Sequence, residues 1–307
     1  MSARWISSFL GVGLLLLLTR CQSVGGYEDF SSRAQKPASP CHVLDAVKED
    51  EAGLGVMTRV DVPGAKCFWI DQKEVTVAAY QRWLTAVAAE DVTWDSDFCR
   101  WKMTRSDPIH DPLDSCSARI LPFDLVPFTA NKPIRCVDFC DAEAFCSWRK
   151  KHLCHATDAF GVQEPRLTVR EWALACSNDL STVFPWGDDE RPELCNVGQT
   201  SDSCITSSRA VCGVLPVGER SGCSTQNGVL DMLGNVAEWM YSCNFVDDSK
   251  PSPPWCMTRG GGYDDELQSC DAEHTISSDS REPSVGFRCC ADLTPEEDTL
   301  VENSNEN

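Results

Sequence analysis

The sequence predicts a mixed α+β domain of short helices and strands, set in much irregular chain and cross-linked by disulfides. Three observations predict it. Gly, Pro, Asn and Ser interrupt the apolar pattern every few residues over most of the chain, which excludes long regular elements. The few segments that keep a clean period include a strand as well as helices. Finally, 19 of the 307 residues are cysteine. A chain this long can bury roughly three quarters of its unfolded surface without cross-links, so the cysteines point to an oxidising compartment rather than to a core too small to fold.

Taken in order, residues 1–21 begin with a short basic region at Arg4, followed by an apolar run from Trp5 to Leu18 that ends in five consecutive leucines. This is the pattern of a secretory signal. The run is shorter than the roughly 20 residues that span a bilayer, and no later segment is long and apolar enough to anchor the chain. The mature protein is therefore expected to be extracytoplasmic: periplasmic, at the cell surface or secreted. In Leu18-Thr19-Arg20-Cys21 the cysteine has the placement of a lipoprotein box, with Arg20 where such signals have a small residue. Two outcomes stay open for Cys21, lipidation as a membrane tether or removal. Either leaves 18 cysteines, an even number that allows up to nine disulfides.

Residues 22–40, rich in Ser, Gly and Pro, read as a flexible linker to a folded body over 41–291. The tail over 292–307 holds six acids and no base and is expected to be disordered. Within the body, residues 66–70 predict a strand. Residues 75–89 predict an amphipathic helix with Tyr80, Trp83, Leu84 and Val87 on one stripe. Residues 140–152 predict a second helix, with Asp141 in the first turn and Arg149, Lys150 and Lys151 in the last, as the helix dipole favours.

The 47 acidic side chains outnumber the 27 basic ones, for a net charge of −20. A nucleic-acid partner is excluded on this ground, because neutralising phosphates needs a basic face; cations, metals and peptides remain open.

Several segments, read in order, carry a resemblance. Phe68-Trp69-Ile70-Asp71-Gln72-Lys73-Glu74-Val75-Thr76 has the form ID-x-x-EVT, and the segment from Pro133 to Trp148 contains DA-x-AFC-x-W. Arg166-Leu167-Thr168-Val169-Arg170-Glu171-Trp172 follows, then Phe184-Pro185-Trp186-Gly187-Asp188, Cys195-Asn196, Pro216-Val217-Gly218, the stretch from Gly228 to Trp239, Arg259-Gly260-Gly261-Gly262 and Gly286-Phe287-Arg288. In order and spacing these blocks resemble the formylglycine-generating enzyme (sulfatase-modifying factor) family over essentially the whole body. The resemblance implies that family's α+β fold, related to C-type lectin domains, with short helices around twisted antiparallel sheets. It also implies a copper-dependent oxidase that converts a sulfatase cysteine to formylglycine.

Asp231 and Glu238 stand seven residues apart around Gly234-Asn235, a turn able to point carbonyls inward, which is a hard-cation geometry. The alternative is a metal-free turn with capping carboxylates. The resemblance implies a structural calcium here, held by the side chains of Asp231 and Glu238 and the carbonyls of Gly234 and Val236. It implies a second calcium at Asn196 and the carbonyl of Val197, although Arg209 stands where the family has an aspartate, and a guanidinium cannot ligate calcium.

The family's oxidase site has cysteines at the sixth and eleventh positions counted from Gly260. Here the eleventh is Cys270, the remaining candidate catalytic residue, and the sixth is Asp265. A carboxylate binds copper(I) poorly and takes no part in thiol exchange. The oxidase activity is therefore expected to be absent and the protein to be a scaffold for a peptide, glycan or protein ligand. The alternative is an active oxidase acting on a sulfatase peptide through Cys270. Cys270 itself reads as a disulfide partner, and Asp264, Asp265, Glu266, Asp271, Glu273 and His274 read either as a solvated loop or as a surface for cations or basic peptides. Cys136, Cys140, Cys146, Cys154 and His155 admit a zinc reading, but their spacing on a helix favours disulfides. The five histidines show no paired spacing such as H-E-x-x-H.

Overall fold

The computed structural model describes residues 40–51, 53–62, 67–87, 96–105, 130–156, 170–178, 180–198, 213–244 and 252–305. The expected signal, Cys21, the linker up to residue 39, and Arg209 lie outside them. Two sheets organise the described chain. The first holds β1 (Val47–Glu49), β2 (Val56–Val60), β3 (Phe68–Asp71), β4 (His152–Leu153) and β9 (Cys289–Ala291) in the order β1-β2-β3-β9-β4, all antiparallel. The second runs β7 (His274–Ser277), β6 (Trp255–Arg259), β5 (Ala237–Asn244), β8 (Val285–Gly286), with only the β5–β8 pair parallel.

The predicted strand is β3. All four of its residues are buried, as suits an interior strand covered on both faces. Its neighbour β9 separates two apolar clusters. Successive strand residues point to opposite faces, so Cys289 joins the cluster of Tyr80, Trp83, Phe145 and Phe287 while Cys290 joins that of Ile70, Trp172, Leu233 and Met240. Each cysteine is tied into its own side, Cys289 to Cys146 and Cys290 to Cys154.

Helix α1 (Val77–Ala86) starts two residues later than expected. Thr76 caps it by accepting from the Ala79 N–H at 3.2 Å, and Val75 stays extended, its N–H bonded to the Phe287 carbonyl at 2.9 Å. A helix that was not anticipated, α2 (Arg100–Arg105), brings Lys102 into the interior, where Nζ reaches Asp138 at 2.8 Å and Asp141 at 2.6 Å. Helix α3 (Phe139–Trp148) is capped by Asp138, which accepts from the Asp141 N–H at 3.0 Å. It ends before Arg149, which corrects the placing of three cations in its last turn. Lys150 takes a left-handed φ of 57°, and the chain reverses there. Arg149 instead pairs with Asp50 and, at 3.3 Å, with Asp71, while Lys151 pairs with Asp71 at 2.6 Å and Asp50 at 3.1 Å. A short α4 (Glu171–Cys176) follows.

The tail is a second correction. Residues 295–305 form helix α5 (Pro295–Asn305) rather than disordered chain, so the folded body extends beyond 291. Thr294 accepts from the Glu297 N–H at 3.3 Å, and Glu297 accepts in return from the Thr294 N–H at 2.9 Å, a capping box with Pro295 at the first helical position. Glu297 also receives Lys48 at 2.7 Å and the Trp69 indole N–H at 3.1 Å, and Val301 packs on the Cys41–Cys67 disulfide. Among the described residues, the remaining disulfides are Cys99–Cys140, Cys176–Cys270, Cys195–Cys223 and Cys243–Cys256.

Candidate functional site

The loop leaving β6 turns at Gly260, whose φ is +88° and where an added Cβ would lie 2.7 Å from the Met232 carbonyl oxygen, so a side chain is excluded by both conformation and space. Asp265 closes the turn: its Oδ2 accepts from the Gly262 N–H at 2.8 Å, and its carbonyl accepts from the Gly198 N–H at 2.7 Å. Five residues on, Cys270 is 1% exposed and disulfide-bonded to Cys176 at the end of α4. Its N–H donates to the Val183 carbonyl at 2.9 Å, and its carbonyl accepts from Arg259 Nη1 at 3.1 Å. Cys270 thus clamps the loop to α4.

Across this loop lies the turn before β5. Asp231 (φ 54°) and Asn235 (φ 61°) both take left-handed conformations, which Asp and Asn tolerate best among residues with a side chain. Asn235 Nδ2 donates to Glu74 at 3.0 Å and its Oδ1 accepts from Asn196 Nδ2 at 3.0 Å and the Leu215 N–H at 2.8 Å. The Val236 N–H donates to Glu74 as well, at 3.3 Å. Glu238 receives Arg288 Nε on both oxygens, at 2.9 and 2.8 Å, Nη2 at 2.7 Å, and the Trp172 indole N–H at 2.8 Å. Arg288 also donates to the carbonyls of Asp71, Leu230 and Asp231 at 3.1, 2.9 and 3.2 Å. Burial, with Asp231 and Glu238 nearby, pushes the Glu74 carboxyl well above the usual carboxylate range. Burial likewise lifts Asp231 to about 6.

The profile of the Sulfatase-modifying factor enzyme 1-like domain matches residues 43–293, most of the chain. The chain belongs to the sulfatase-modifying factor family. It is 27% identical over 194 residues to the mouse formylglycine-generating enzyme, covering 55% of this chain and 46% of that one. It is 28% identical over 170 residues to the bovine protein named inactive C-alpha-formylglycine-generating enzyme 2, covering 52% and 50% respectively. The chain thus matches about half the length of these curated relatives. Among solved structures, PvdO from Pseudomonas aeruginosa aligns with a TM-score of 0.50 and 18% identity, over 80% of this chain and 98% of that one, and this likeness supports the α+β fold.

The donor set that the family resemblance implies for copper does not fit it here, and of those it implies for calcium the Glu238 carboxylate is already engaged. For copper, position 265 offers a carboxylate bonded to a backbone N–H, and Cys270 offers a disulfide sulfur. Neither is the thiolate that copper(I) needs. For calcium, Glu238 already receives four donor contacts, filling the roughly four lone-pair sites of a carboxylate. Asp231 accepts from the Gly218 N–H. Arg288 stands as the cation among these acids. Gly234, with φ +75° and Asn196 O 2.5 Å from where a Cβ would be, fits the turn only as glycine. At the second calcium position, Asn196 gives its amide to Asn235 and its carbonyl to the Asn235 N–H at 2.8 Å, while Val197 is buried beside it. Asn196 thus secures the Asn235 turn.

Asp264, Asp265, Glu266, Asp271, Glu273 and His274 are all exposed, with Glu273 paired to Arg259 at 3.2 Å. Cys136, Cys140, Cys146 and Cys154 are all disulfide-bonded, as their spacing favours. The structure does bring two histidines together, His152 and His155, both against Glu171; the sequence reading missed this pairing.

Proposed function

We propose that this protein is a non-oxidising member of the sulfatase-modifying factor family, exported from the cytoplasm, that serves as a disulfide-braced binding scaffold. The observation that carries the reading is the pairing of Cys270 with Cys176 while a carboxylate, Asp265, occupies the other family position. Formylglycine chemistry in this family needs two thiolates around copper(I), and this loop supplies neither. A curated relative whose name begins "Inactive" matches as well as those named as enzymes. Export is supported by the signal-like residues 1–21 and by the disulfides, which persist in oxidising compartments. Whether Cys21 carries a lipid tether follows from the same signal and is tested by mass spectrometry of the mature N-terminus. The ligand class is a peptide, glycan or protein; the exposed acids from Asp264 to Glu266 favour a basic peptide over an acidic one.

The test incubates the mature protein with copper, oxygen and a peptide carrying Cys-x-Pro-x-Arg, and reads aldehyde by mass spectrometry. The expected result is no aldehyde. Aldehyde that disappears in Cys270→Ser would restore the active-oxidase reading.

A further inference from the structure

Outside the family site, two histidines and a glutamate converge from separate elements. His152 opens β4, His155 follows two residues after that strand, and Glu171 opens α4. The backbone under the histidines is fixed by the β4–β9 pairing, His152 opposite Cys290, and by the Cys154–Cys290 disulfide between them. His152 Nε2 lies 3.0 and 3.1 Å from the two Glu171 oxygens, and His155 Nδ1 lies 3.0 Å from Oε2. One donor atom from each residue falls within 4.8 Å of the other two. The His155 backbone N–H donates to Glu171 Oε2 at 2.8 Å and holds the carboxylate in this orientation.

This geometry suits a metal ion. Zinc binds imidazole nitrogen and carboxylate oxygen at about 2.0–2.2 Å, which sets neighbouring ligands about 3 Å or slightly more apart. The observed nitrogen-to-oxygen separations match, and the two imidazole nitrogens, within 4.8 Å of each other, reach a shared ion by side-chain rotation. The Glu171 side chain is 6% exposed while those of His152 and His155 are 25% and 33% exposed. The anionic ligand therefore lies at the floor and the imidazoles at the mouth, which leaves the outer coordination positions to water. Two imidazoles with one carboxylate form a borderline donor set suited to zinc, copper(II), nickel or iron(II), and unlike the all-oxygen shell of calcium. The Tyr241 ring stands edge-on to His155 at 5.4 Å between centroids and limits that imidazole's rotation.

We propose that His152, His155 and Glu171 form a binding site for a divalent transition metal of the zinc type, open to solvent on one side. The site is independent of the copper and calcium positions of the family. The alternative is a hydrogen-bonded His–Glu–His cluster without metal.

The test uses tag-free, disulfide-intact protein stripped with chelator, titrated with zinc in competition with a chromophoric chelator, and with copper(II) followed by electron paramagnetic resonance. One equivalent of zinc is expected, with at least about tenfold weaker binding in His152→Ala and in His155→Ala and loss of the site in the double variant. Copper(II) is expected to show coupling to two nitrogens in the wild type. If the variants fail to fold, the wild-type nitrogen coupling decides. Unchanged zinc affinity in the double variant, no binding at about 100 micromolar zinc, or a copper(II) spectrum without nitrogen coupling would overturn the proposal.

Discussion

Arg288 holds both oxygens of Glu238 through a single guanidinium, with contacts of 2.7 to 2.9 Å, at a point where both side chains are almost fully buried. The pair makes a protein cation the centre of charge among Glu74, Asp231 and Glu238. Burying either partner alone would cost far more than the pair does.

Arg288→Met is therefore expected to destabilise the protein by about 3–5 kcal/mol, since it leaves buried acids without their cation. Urea denaturation reads this directly. Calcium or chelator is expected to leave the wild-type midpoint unchanged; a rise with calcium would show that Asp231 and Glu238 take the ion after all.

Stability is also expected to depend on pH through Asp141. Burial, then repulsion by Asp138, raises its folded pKa from 3.8 to about 7, against the pull of Lys102. A raised carboxyl pKa means the folded state holds the proton more tightly, so its contribution is complete below pH 3.8 and is lost as pH rises toward about 7. Asp141→Asn is expected to flatten the stability curve over that window in denaturant titrations at several pH values. A slope identical to wild type would assign the dependence elsewhere.

The tail helix gives a third expectation. Thr294→Ala removes one half of the capping box and is expected to weaken α5 by about 1 kcal/mol. Amide exchange over residues 295–305 is expected to accelerate, with little change in the sheets. Equal protection in both proteins would mean that Val301 and the Glu297 contacts alone hold the helix.

Restoring the family cysteine is not expected to restore chemistry. In Asp265→Cys the new thiol loses the carboxylate that accepts from the Gly262 N–H, and Cys270 remains bonded to Cys176. Copper(I) titration is expected to show no two-thiolate centre in this variant. Formation of that centre would mean that the Cys176–Cys270 bond is exchangeable.

Much of the fold was legible where the determinants are local. The apolar run at β3, the stripe of α1 and the acidic first turn of α3 identified those elements, and the true starts of the two helices follow from Thr76 and Asp138, caps already present in the sequence. The capping box of α5 was present too, but the acidity of the tail outweighed it in the reading; the contacts of Glu297 to Lys48 and Trp69 span more than two hundred residues and leave no local signal. The same limit hid the roles of Arg149 and Lys151, whose partners Asp50 and Asp71 are distant in the chain. At the site, the substitution at Asp265 was visible, but the partner of Cys270 was not, because spacing does not determine disulfide connectivity. His152, His155 and Glu171 were passed over because their convergence depends on β4 and α4 meeting, not on a helical spacing.

Cys270, bonded to Cys176, has no thiolate to offer. Alkylation of the native protein without reductant, followed by non-reducing peptide mapping, tests it most directly. An unmodified Cys270 recovered in one linked peptide with Cys176 is expected; an alkylated Cys270 in the native protein would contradict the pairing and favour an active oxidase.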